Sequence, residues 1–527
     1  MPDQGTVLPA EAKASPFGNL SEAAAIVVLV AVFLAILMGA MDSLVVATVL
    51  PTIAGDFHQV NGVEFVVSAY LVSSTISIPI FSRLSDITSR RNVFIAGLAV
   101  FIAGSAFAGL SQNLTELIIF RGVQGFGGGG VFPVAIAMVA VLFPPATRAR
   151  VTGLLSGAAG IAIVLGPLVG NLIVQYTTWR WVFYINLPFG VLALIVLIFA
   201  VGPLTPSTRG KYDVPGTILL SAWVGALMVA LVQVADAGWA WSNPIVVGLL
   251  ALTVVTLALF LWWELRVPEP LVPLRLLRQR VIGTASGVSL FTGVTFSAYV
   301  TFLSLFVGVV LLHGASGNSA EVRDIIYYLA IPLIFGAVFA GQILTRVAYR
   351  TLIAPGLLLA SIAAFFLTDL SSTTPLWLLS HGFLLVGGLA LPLIPLGFGL
   401  GLSLSAVTIA VQNEAPAAEV GAAIGLVRFF QSLGGAIGIS LLTVFVSWRY
   451  GQLAPGATSL APNLNALATS YSEAFLFLAI CIVIAFVLSL FFVGRVPRTP
   501  EEDPEHVGAP TPASVGAGSL VEPAESP

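Results

Sequence analysis

The stretch that decides the fold is AAAIVVLVAVFLAILMGAMDSLV, residues 23–45. It contains a single charged residue, Asp42, close to its end. A helix of about 20 apolar residues crosses the roughly 30 Å of hydrocarbon in a bilayer. The run is too long for the hydrophobic part of a cleaved signal peptide, so we expect a membrane helix that is retained.

Runs of the same kind recur along the whole chain. Of its 527 residues, 58% are hydrophobic and 9% are charged. The runs are continuous rather than alternating, which excludes a closed β-barrel and predicts an all-α polytopic membrane protein. The single cysteine, Cys481, excludes an internal disulfide. We count about fourteen spans, near residues 23–45, 61–81, 93–111, 114–142, 150–174, 181–201, 214–235, 244–263, 282–312, 325–345, 352–370, 395–412, 420–447 and 473–494.

Lysine and arginine indicate the orientation of these spans. With an even number of spans both termini share a side, and sixteen of the 21 Lys and Arg residues fall on that side. Three fall on the opposite side, while Arg121 and Arg428 lie within spans. Loops rich in Lys and Arg stay in the cytoplasm, so both termini are predicted to be cytoplasmic.

The spans divide into two halves of six, with two spans inserted between them. Short turns that end in arginine follow span two, at residues 82–91, and span ten, at residues 341–350. Such a weak repeat around a midplane cavity is typical of transporters. The predicted parts are a cytoplasmic tail (1–22), an N-terminal six-helix bundle (23–201), two inserted helices with linkers (202–280), a C-terminal six-helix bundle (281–495) and a disordered cytoplasmic tail (496–527).

Residues 376–410 are apolar but too long for one span. Gly387 and Gly388 separate two apolar runs, which is a hairpin signal, so an external β-hairpin is expected near residues 378–393. The alternative is one long helix kinked at Pro392 and Pro395.

Two charges inside apolar runs point to function. A charge in the hydrocarbon costs roughly 2.5 to 3.5 kcal/mol on insertion scales, so an ionisable residue there is a functional hypothesis by default. Asp42 and Arg121 are such residues in spans one and four. The alternative for Asp42 is a charge at a helix end that reaches the interface.

Five local patterns resemble the major facilitator superfamily, and specifically its branch of fourteen-span drug:proton antiporters. The resemblance covers residues 23 to about 496. The patterns are MDSLVVATVLP (41–51), RLSDITSRR (83–91), RGVQG (121–125), GAAGIAIVLGPLVG (157–170) and WRWVFYINLP (179–188). Each is weak alone, but all five fall in order at the matching span ends.

The resemblance implies two devices besides the fold. The loop after span two would close the cytoplasmic side by pairing with neighbouring helix ends; its residues here are Arg83, Asp86, Arg90 and Arg91. Two of the family's usual glycines are Ser82 and Ser89 in this chain, and serine tolerates positive φ less well, so an altered turn is expected. The alternative is a loop without a gating role. The antiporter helix would carry Gly157, Gly166, Pro167 and Gly170, with a kink at the proline.

The resemblance also implies a transport cycle in which Asp42 carries the coupling proton and Arg121 favours its ionised form. We expect a substrate cavity that includes Gln124, Phe126, Phe296, Tyr299 and Arg428. Arg428 would pair with an anion or a carboxylate; the alternative is that it extends to the cytoplasmic face. The four glycines 127–130 predict a flexible or tightly packed point. No Lys-Ser/Thr follows them, so nucleotide binding is not expected, and the proton is the expected coupling ion, with no cofactor and no metal.

The resemblance also implies a substrate class. Members of this branch that export divalent organic cations tend to carry extra carboxylates within their spans, and no further carboxylate lies deep in a span of the C-terminal half. The resemblance therefore implies lipophilic substrates that are monocationic or neutral. The alternative is export of lipids such as triacylglycerides with a periplasmic lipoprotein. An enzyme is not expected, because the four histidines are scattered in loops and the tail. We expect a monomer in a bacterial plasma membrane, without nucleic-acid partners.

Overall fold

The computed structural model describes residues 22–57, 65–143, 145–201, 210–235, 240–311, 320–344, 346–368, 390–416, 419–454 and 463–492. The first group of helices is α1 (Glu22–Asp56), α2 (Phe65–Ile87), α3 (Arg90–Leu110), α4 (Leu114–Leu142), α5 (Pro145–Tyr176), α6 (Trp181–Tyr184) and α7 (Asn186–Ala200). Two helices follow, α8 (Val214–Ala235) and α9 (Pro244–Glu264). The last group is α10 (Arg280–Leu305), α11 (Ala320–Ile343), α12 (Arg350–Phe366), α13 (Ala390–Glu414), α14 (Val420–Leu453) and α15 (Leu464–Ser489).

Thirteen segments of the described chain are long and apolar enough to cross a membrane, α6 and α7 counting together as one. The fourteenth, α12, has 17 residues, which is the lower limit for a spanning helix. The protein is therefore a multi-pass helical membrane protein. We call the side on which α1 begins the inner side and the opposite side the outer side.

Several boundaries differ from the sequence-based expectation. Helix α1 continues to Asp56, so Asp42 lies inside the helix and not at its end. The run expected at 282–312 ends its α-helix at Leu305 and continues as a π-helix over Phe306–Leu311. Of the expected hairpin at 378–393, residues 378–389 lie outside the described residues, whereas residues 390–393 form the first turn of α13. The hairpin is thus wrong for its last residues.

Asparagine side chains begin three helices at the outer side. Asn113 accepts a hydrogen bond from Glu116 N, and the Glu116 carboxylate accepts one from Gln112 N, which together cap α4 reciprocally. Asn243 before Pro244 and Asn463 cap α9 and α15 in the same way. These caps satisfy backbone donors where each chain segment re-enters the membrane.

The helices pack into two bundles, α1–α7 and α10–α15, that meet mainly along two helix pairs, with further contacts of α13 with α5 and of α14 with α4. Within the first bundle α4 packs on α2 and α3, and α1 packs on α5; within the second, α13 packs on α11 and α12, and α14 on α10. Between the bundles, α5 packs on α11 and α2 on α14, while α8 packs on α9, α2 and α14.

The four glycines 127–130 allow the tight packing of α4. A Cβ at Gly127 would lie 2.3 Å from Phe101 N on α3, and one at Gly129 would lie 2.1 Å from Ser74 O on α2. Larger side chains would separate these helices. Of the two expectations for this stretch, tight packing is the one that the structure shows.

Candidate functional site: a buried ion pair and the inner contacts

A carboxylate lies at the centre of the first bundle. Asp42 of α1 is 1% exposed and Arg121 of α4 is 0% exposed. Arg121 Nη1 donates to Asp42 Oδ2 at 2.5 Å. Gln124 Nε2 and Asn186 Nδ2 each donate to Asp42 Oδ1 at 2.8 Å. The Asp42 carboxylate therefore accepts from three donors in a place that water does not reach.

Arg121 is held by further groups of the same bundle. Its Nε donates to Val66 O at 3.1 Å, and Nη1 also donates to Gln124 Oε1 at 2.8 Å. Its guanidinium carbon lies 4.3 Å from the centre of the Tyr70 ring, an attractive geometry for a cation. Nη2 is buried and has no hydrogen-bond acceptor.

Ser105 and Asn186 complete this site, and the sequence analysis assigned a role to neither. The Ser105 hydroxyl accepts from Gln124 Nε2 and from Asn186 Nδ2, both at 3.1 Å, and donates to Phe183 O at 2.9 Å. Asn186 begins α7, directly after the short α6. The sequence did contain a signal for Asn186: it lies in the motif WRWVFYINLP, where a side-chain amide directly precedes a run of apolar residues.

This arrangement links charge to protonation. A buried carboxylate and guanidinium neutralise each other, and removing either charge leaves the other buried without compensation. Protonation of Asp42 would therefore leave Arg121 without a counter-charge.

At the inner side, Asp86 of α2 joins the two bundles. Its carboxylate accepts from Gly421 N at 3.0 Å and from Ala422 N at 2.7 Å, the first amides of α14. Arg90 Nη2 also donates to Asp86, at 3.2 Å. A carboxylate at a helix N-terminus is favoured by the free amides and the helix dipole. A Cβ at Gly421 would lie 2.6 Å from Asp86 Oδ1, so glycine allows this contact.

The other expected gate residues make different contacts. Arg91 donates from Nε to Leu197 O at 3.1 Å and from Nη2 to Ile198 O at 2.6 Å, so it caps α7 within its own bundle. Arg83 is buried, and its Nε has no acceptor. Ser89 precedes α3 with φ −88°, so the expected difficulty with positive φ does not arise there. Ser82 lies inside α2 and donates to Ile78 O.

The matching turn of the second bundle differs in chemistry. Residues 341–350 contain no carboxylate. Its buried Tyr349 accepts a hydrogen bond from Asn413 Nδ2 at 3.3 Å. Burial raises the pKa of Tyr349 to about 12, so this hydroxyl stays uncharged. The carboxylate contact between the bundles therefore has no counterpart in this turn.

Helix α5 approaches α11 through glycine. A Cβ at Gly153 would lie 2.8 Å from Gly341 Cα, whereas one at Gly157 would meet Ile334 and Val338 at an ordinary 3.7 Å. Gly166 instead packs on Leu44 of α1, and Gly170 is buried. Helix α5 is continuous through position 167; the Pro167 side chain lies outside the described part of the chain.

Two polar contacts that the sequence did not predict also join the bundles. Gln412 of α13 accepts from the Thr152 hydroxyl at 2.9 Å and donates to Ile136 O at 2.9 Å. The hydroxyls of Thr75 on α2 and Ser432 on α14 lie 2.7 Å apart. With Asp86 and Gly153, the Gln412 contacts hold the bundles together towards the inner side, and the Thr75–Ser432 contact joins them near the middle of α2.

The expected cavity residues do not form one wall. Gln124 belongs to the Asp42 site. Phe126 is 37% exposed and packs on Phe81. Tyr299 is fully buried and stacks on Phe475 inside the second bundle. Phe296 is half-buried against the core.

Arg428 is half-buried where α14 faces α4. Its guanidinium carbon lies 3.4 Å from the centre of the Phe132 ring.

Comparisons with known proteins agree with this architecture. The family model described as Major Facilitator Superfamily matches residues 32–439. The chain is 31% identical over 441 residues to the multidrug transporter protein MdtP of Bacillus subtilis (strain 168), covering 84% of this chain and 78% of the relative. It is 30% identical over 519 residues to a triacylglyceride transporter of Mycolicibacterium smegmatis, covering 93% of this chain and 90% of the relative.

A solved structure shows the same fold at low identity. The crystal structure of the human organic anion transporter TETRAN superposes with a TM-score of 0.57 and 14% identity, covering 87% of this chain and 99% of that chain. These similarities identify a transporter and not an enzyme. The chain belongs to the Major Facilitator Superfamily, among relatives named as multidrug transporters.

Proposed function

We propose that the protein is a proton-coupled exporter of lipophilic compounds that works by alternating access. One observation carries the proposal: a buried carboxylate, Asp42, is bound by Arg121, Gln124 and Asn186 inside the first bundle. The proposed location is a bacterial inner membrane, with both termini in the cytoplasm as the distribution of lysine and arginine indicates.

In the proposed cycle Asp42 takes up a proton from outside and releases it inside. The proton neutralises the carboxylate, so Arg121 loses its counter-charge and the first bundle favours a different packing. One proton that moves down 100 mV supplies about 2.3 kcal/mol. That energy supports nearly two decades of substrate gradient, since about 1.4 kcal/mol corresponds to a factor of ten.

The conformation supports an exporter with a closed inner side. Asp86 caps α14, Gly153 lies against Gly341, and Gln412 bridges α13 to α4 and α5. Opening to the cytoplasm requires all three contacts to break. Each is a hydrogen bond or a close packing contact of modest energy, so the closed state is reversible.

Everted membrane vesicles with an imposed proton gradient test the proposal. The substrate panel contains a lipophilic cation (ethidium), an uncharged lipophilic compound and a lipophilic weak acid. We expect at least one of them to discharge the gradient with wild-type protein and none to do so with Asp42→Asn.

The matched control is Asp56→Asn, the same change on the same helix. Asp56 lies at the outer end of α1, is half-exposed and pairs with Arg180, so this variant should retain transport. Full discharge by Asp42→Asn would contradict the role of Asp42. No discharge by wild type with any of the three compounds would contradict the proposal for this panel.

Lipid export is the second candidate, and the similarity to the triacylglyceride transporter over 93% of this chain favours it. In this case the substrate is an uncharged lipid, and a periplasmic lipoprotein would accept it. A fluorescent triacylglyceride in the same vesicles tests this candidate. Movement of the lipid that depends on Asp42 would support it, whereas drug-dependent discharge without lipid movement would contradict it.

A further inference from the structure

Arg428 is a cation inside the membrane whose side chain has no carboxylate partner in the described part of the chain. It lies eight residues after the first residue of α14, which is about 12 Å along the helix from the inner side. Its Nη1 donates to Gln431 Oε1 at 2.6 Å, and its guanidinium lies over the Phe132 ring. Its Nε is buried and has no acceptor.

The side chain points away from the inner surface. Gln431 lies one turn further along α14 towards the outer side, and Phe132 belongs to α4 of the other bundle. Arg428 therefore does not extend to the cytoplasmic face, which was the alternative for this residue. It reaches across the line where the two bundles meet, as expected of a residue in contact with a transported molecule.

The nearby carboxylates of the described chain are engaged elsewhere. Asp86 is bound by the amides of α14 and by Arg90. Glu419 pairs with Arg275, and Asp42 pairs with Arg121. No ion pair of Arg428 is present among the described residues. Buried charges in proteins are normally paired, so a free guanidinium at this place indicates that its counter-ion comes from a ligand.

We propose that Arg428 binds an oxyanion of the transported molecule, so that the substrates are lipophilic acids. A guanidinium suits this task because its planar donors match the oxygens of a carboxylate or a phosphate. The Phe132 ring lies against the same guanidinium and offers apolar surface to the rest of the molecule. The inference rests on the proposed function. It replaces the monocationic or neutral substrates that the sequence suggested with anionic substrates.

The test is a binding measurement on the purified full chain in phosphatidylcholine nanodiscs, without a proton gradient. The probes are dansyl-labelled undecanoic acid and its methyl ester, which differ only in the charge. We expect the wild type to bind the acid about tenfold more tightly than the ester, a difference of about 1.4 kcal/mol. Arg428→Gln should lose this preference and keep its affinity for the ester, and Arg428→Lys should keep part of the preference.

The control variant is Arg449→Gln on the same helix. Arg449 lies near the outer end of α14 and pairs with Glu473, so the preference for the acid should remain. Unchanged ester binding shows that each variant is folded. Equal affinity of wild type for acid and ester, or an undiminished preference in Arg428→Gln, would overturn the proposal.

A second arm distinguishes a lipid headgroup from a free acid as the source of the oxyanion. Half of the phosphatidylcholine is replaced by phosphatidylglycerol. If the phosphatidylglycerol headgroup binds Arg428, it competes with the acid, so the affinity for the acid falls in wild type but not in Arg428→Gln. If the headgroup does not bind Arg428, the affinity for the acid changes equally in both proteins. Because no gradient is used, the result is independent of proton coupling. If the protein exports an uncharged compound with proton coupling and shows no preference for acids, this inference is contradicted while the proposed function is supported.

Discussion

At the scale of single residues, Asp42 and Arg121 are a buried pair of ionisable groups, and the charge of each compensates the charge of the other. Removing one partner of a buried pair typically costs about 3 to 5 kcal/mol, because the remaining charge has no compensation. Replacing both by uncharged residues avoids that cost. The stability of variants therefore reports whether the pair is ionised.

We predict that Arg121→Leu destabilises the protein by about 3 to 5 kcal/mol and that adding Asp42→Asn to it recovers most of the loss. The measurement is the thermal unfolding midpoint of each purified variant in detergent. Arg180→Leu is the control, because its pair with Asp56 is partly exposed and such pairs contribute about 1 kcal/mol or less. A double variant no more stable than Arg121→Leu would show that Asp42 is not charged in the folded protein.

The sequence singled out Asp42, Arg121 and Gln124 of this site, but not Ser105 or Asn186. Asp42 and Arg121 were conspicuous because charges are costly in apolar runs. Ser105 and Asn186 were not, because such residues in helices usually bond to their own backbone. Their role depends on α3 and α7 facing each other, which no local pattern shows. The same limitation explains Tyr299, whose stacking on Phe475 depends on how α10 meets α15.

At the scale of helices, the approach of α5 to α11 depends on two glycines. At Gly153 an added Cβ would lie 2.8 Å from the backbone of Gly341, whereas at Gly157 its nearest contacts are at 3.7 Å. The same substitution at two positions four residues apart should therefore have different effects. The backbone of Gly341 cannot move aside as a side chain can, so a Cβ at position 153 would force the two helices apart.

We predict that Gly153→Ala shifts the protein towards an inner-open state and that Gly157→Ala does not. The readout is the labelling rate of Ser85→Cys from the inner side, in a Cys481→Ala background. Ser85 is fully buried at the inner end of α2, so labelling requires opening. We expect faster labelling with Gly153→Ala and an unchanged rate with Gly157→Ala. Equal rates in both variants would mean that this contact does not hold the inner side closed.

Two helix starts that an asparagine precedes were predicted closely, because the spans expected from 114 and 244 begin there as α4 and α9. The span expected from 473 instead begins as α15 at Leu464, directly after the capping residue Asn463. The first turn of α13 was mistaken for part of a hairpin, because the Gly387-Gly388 pair signals a turn but does not say where the next helix begins. The contact of Asp86 with α14 could not be predicted from a local pattern, because the two backbone amides of α14 that donate to it lie more than 300 positions away.

At the scale of the whole molecule, the proposed transport cycle requires the two bundles to separate and rejoin at the inner side. The number of spans follows from the length of the apolar runs, which the bilayer dictates. Their division into two halves was predicted from the similar turns at residues 82–91 and 341–350. The pairing of α2 with α14 and of α5 with α11 does not follow from those lengths. It depends on small and polar residues, such as Gly153 and Gln412, whose partners lie in the other bundle.

A disulfide across the bundles tests alternating access directly. The hydroxyls of Thr75 and Ser432 are 2.7 Å apart, so two cysteines at these positions are close enough to join. In a Cys481→Ala background, we predict that copper phenanthroline oxidises the pair Thr75→Cys and Ser432→Cys and stops gradient discharge. A reductant should restore it, because the disulfide fixes α2 against α14 and nothing else has changed.

The single variant Thr75→Cys, treated in the same way, controls for damage by the oxidant and should transport throughout. Cross-linking is verified by cutting the chain between the bundles and observing that the two parts stay together until they are reduced. A cross-linked protein that still discharges the gradient at the full rate would show that α2 and α14 remain in contact during the cycle. In that case the substrate path would have to open along α5 and α11, and only variants at Gly153 and Gly341 would control access from the inner side.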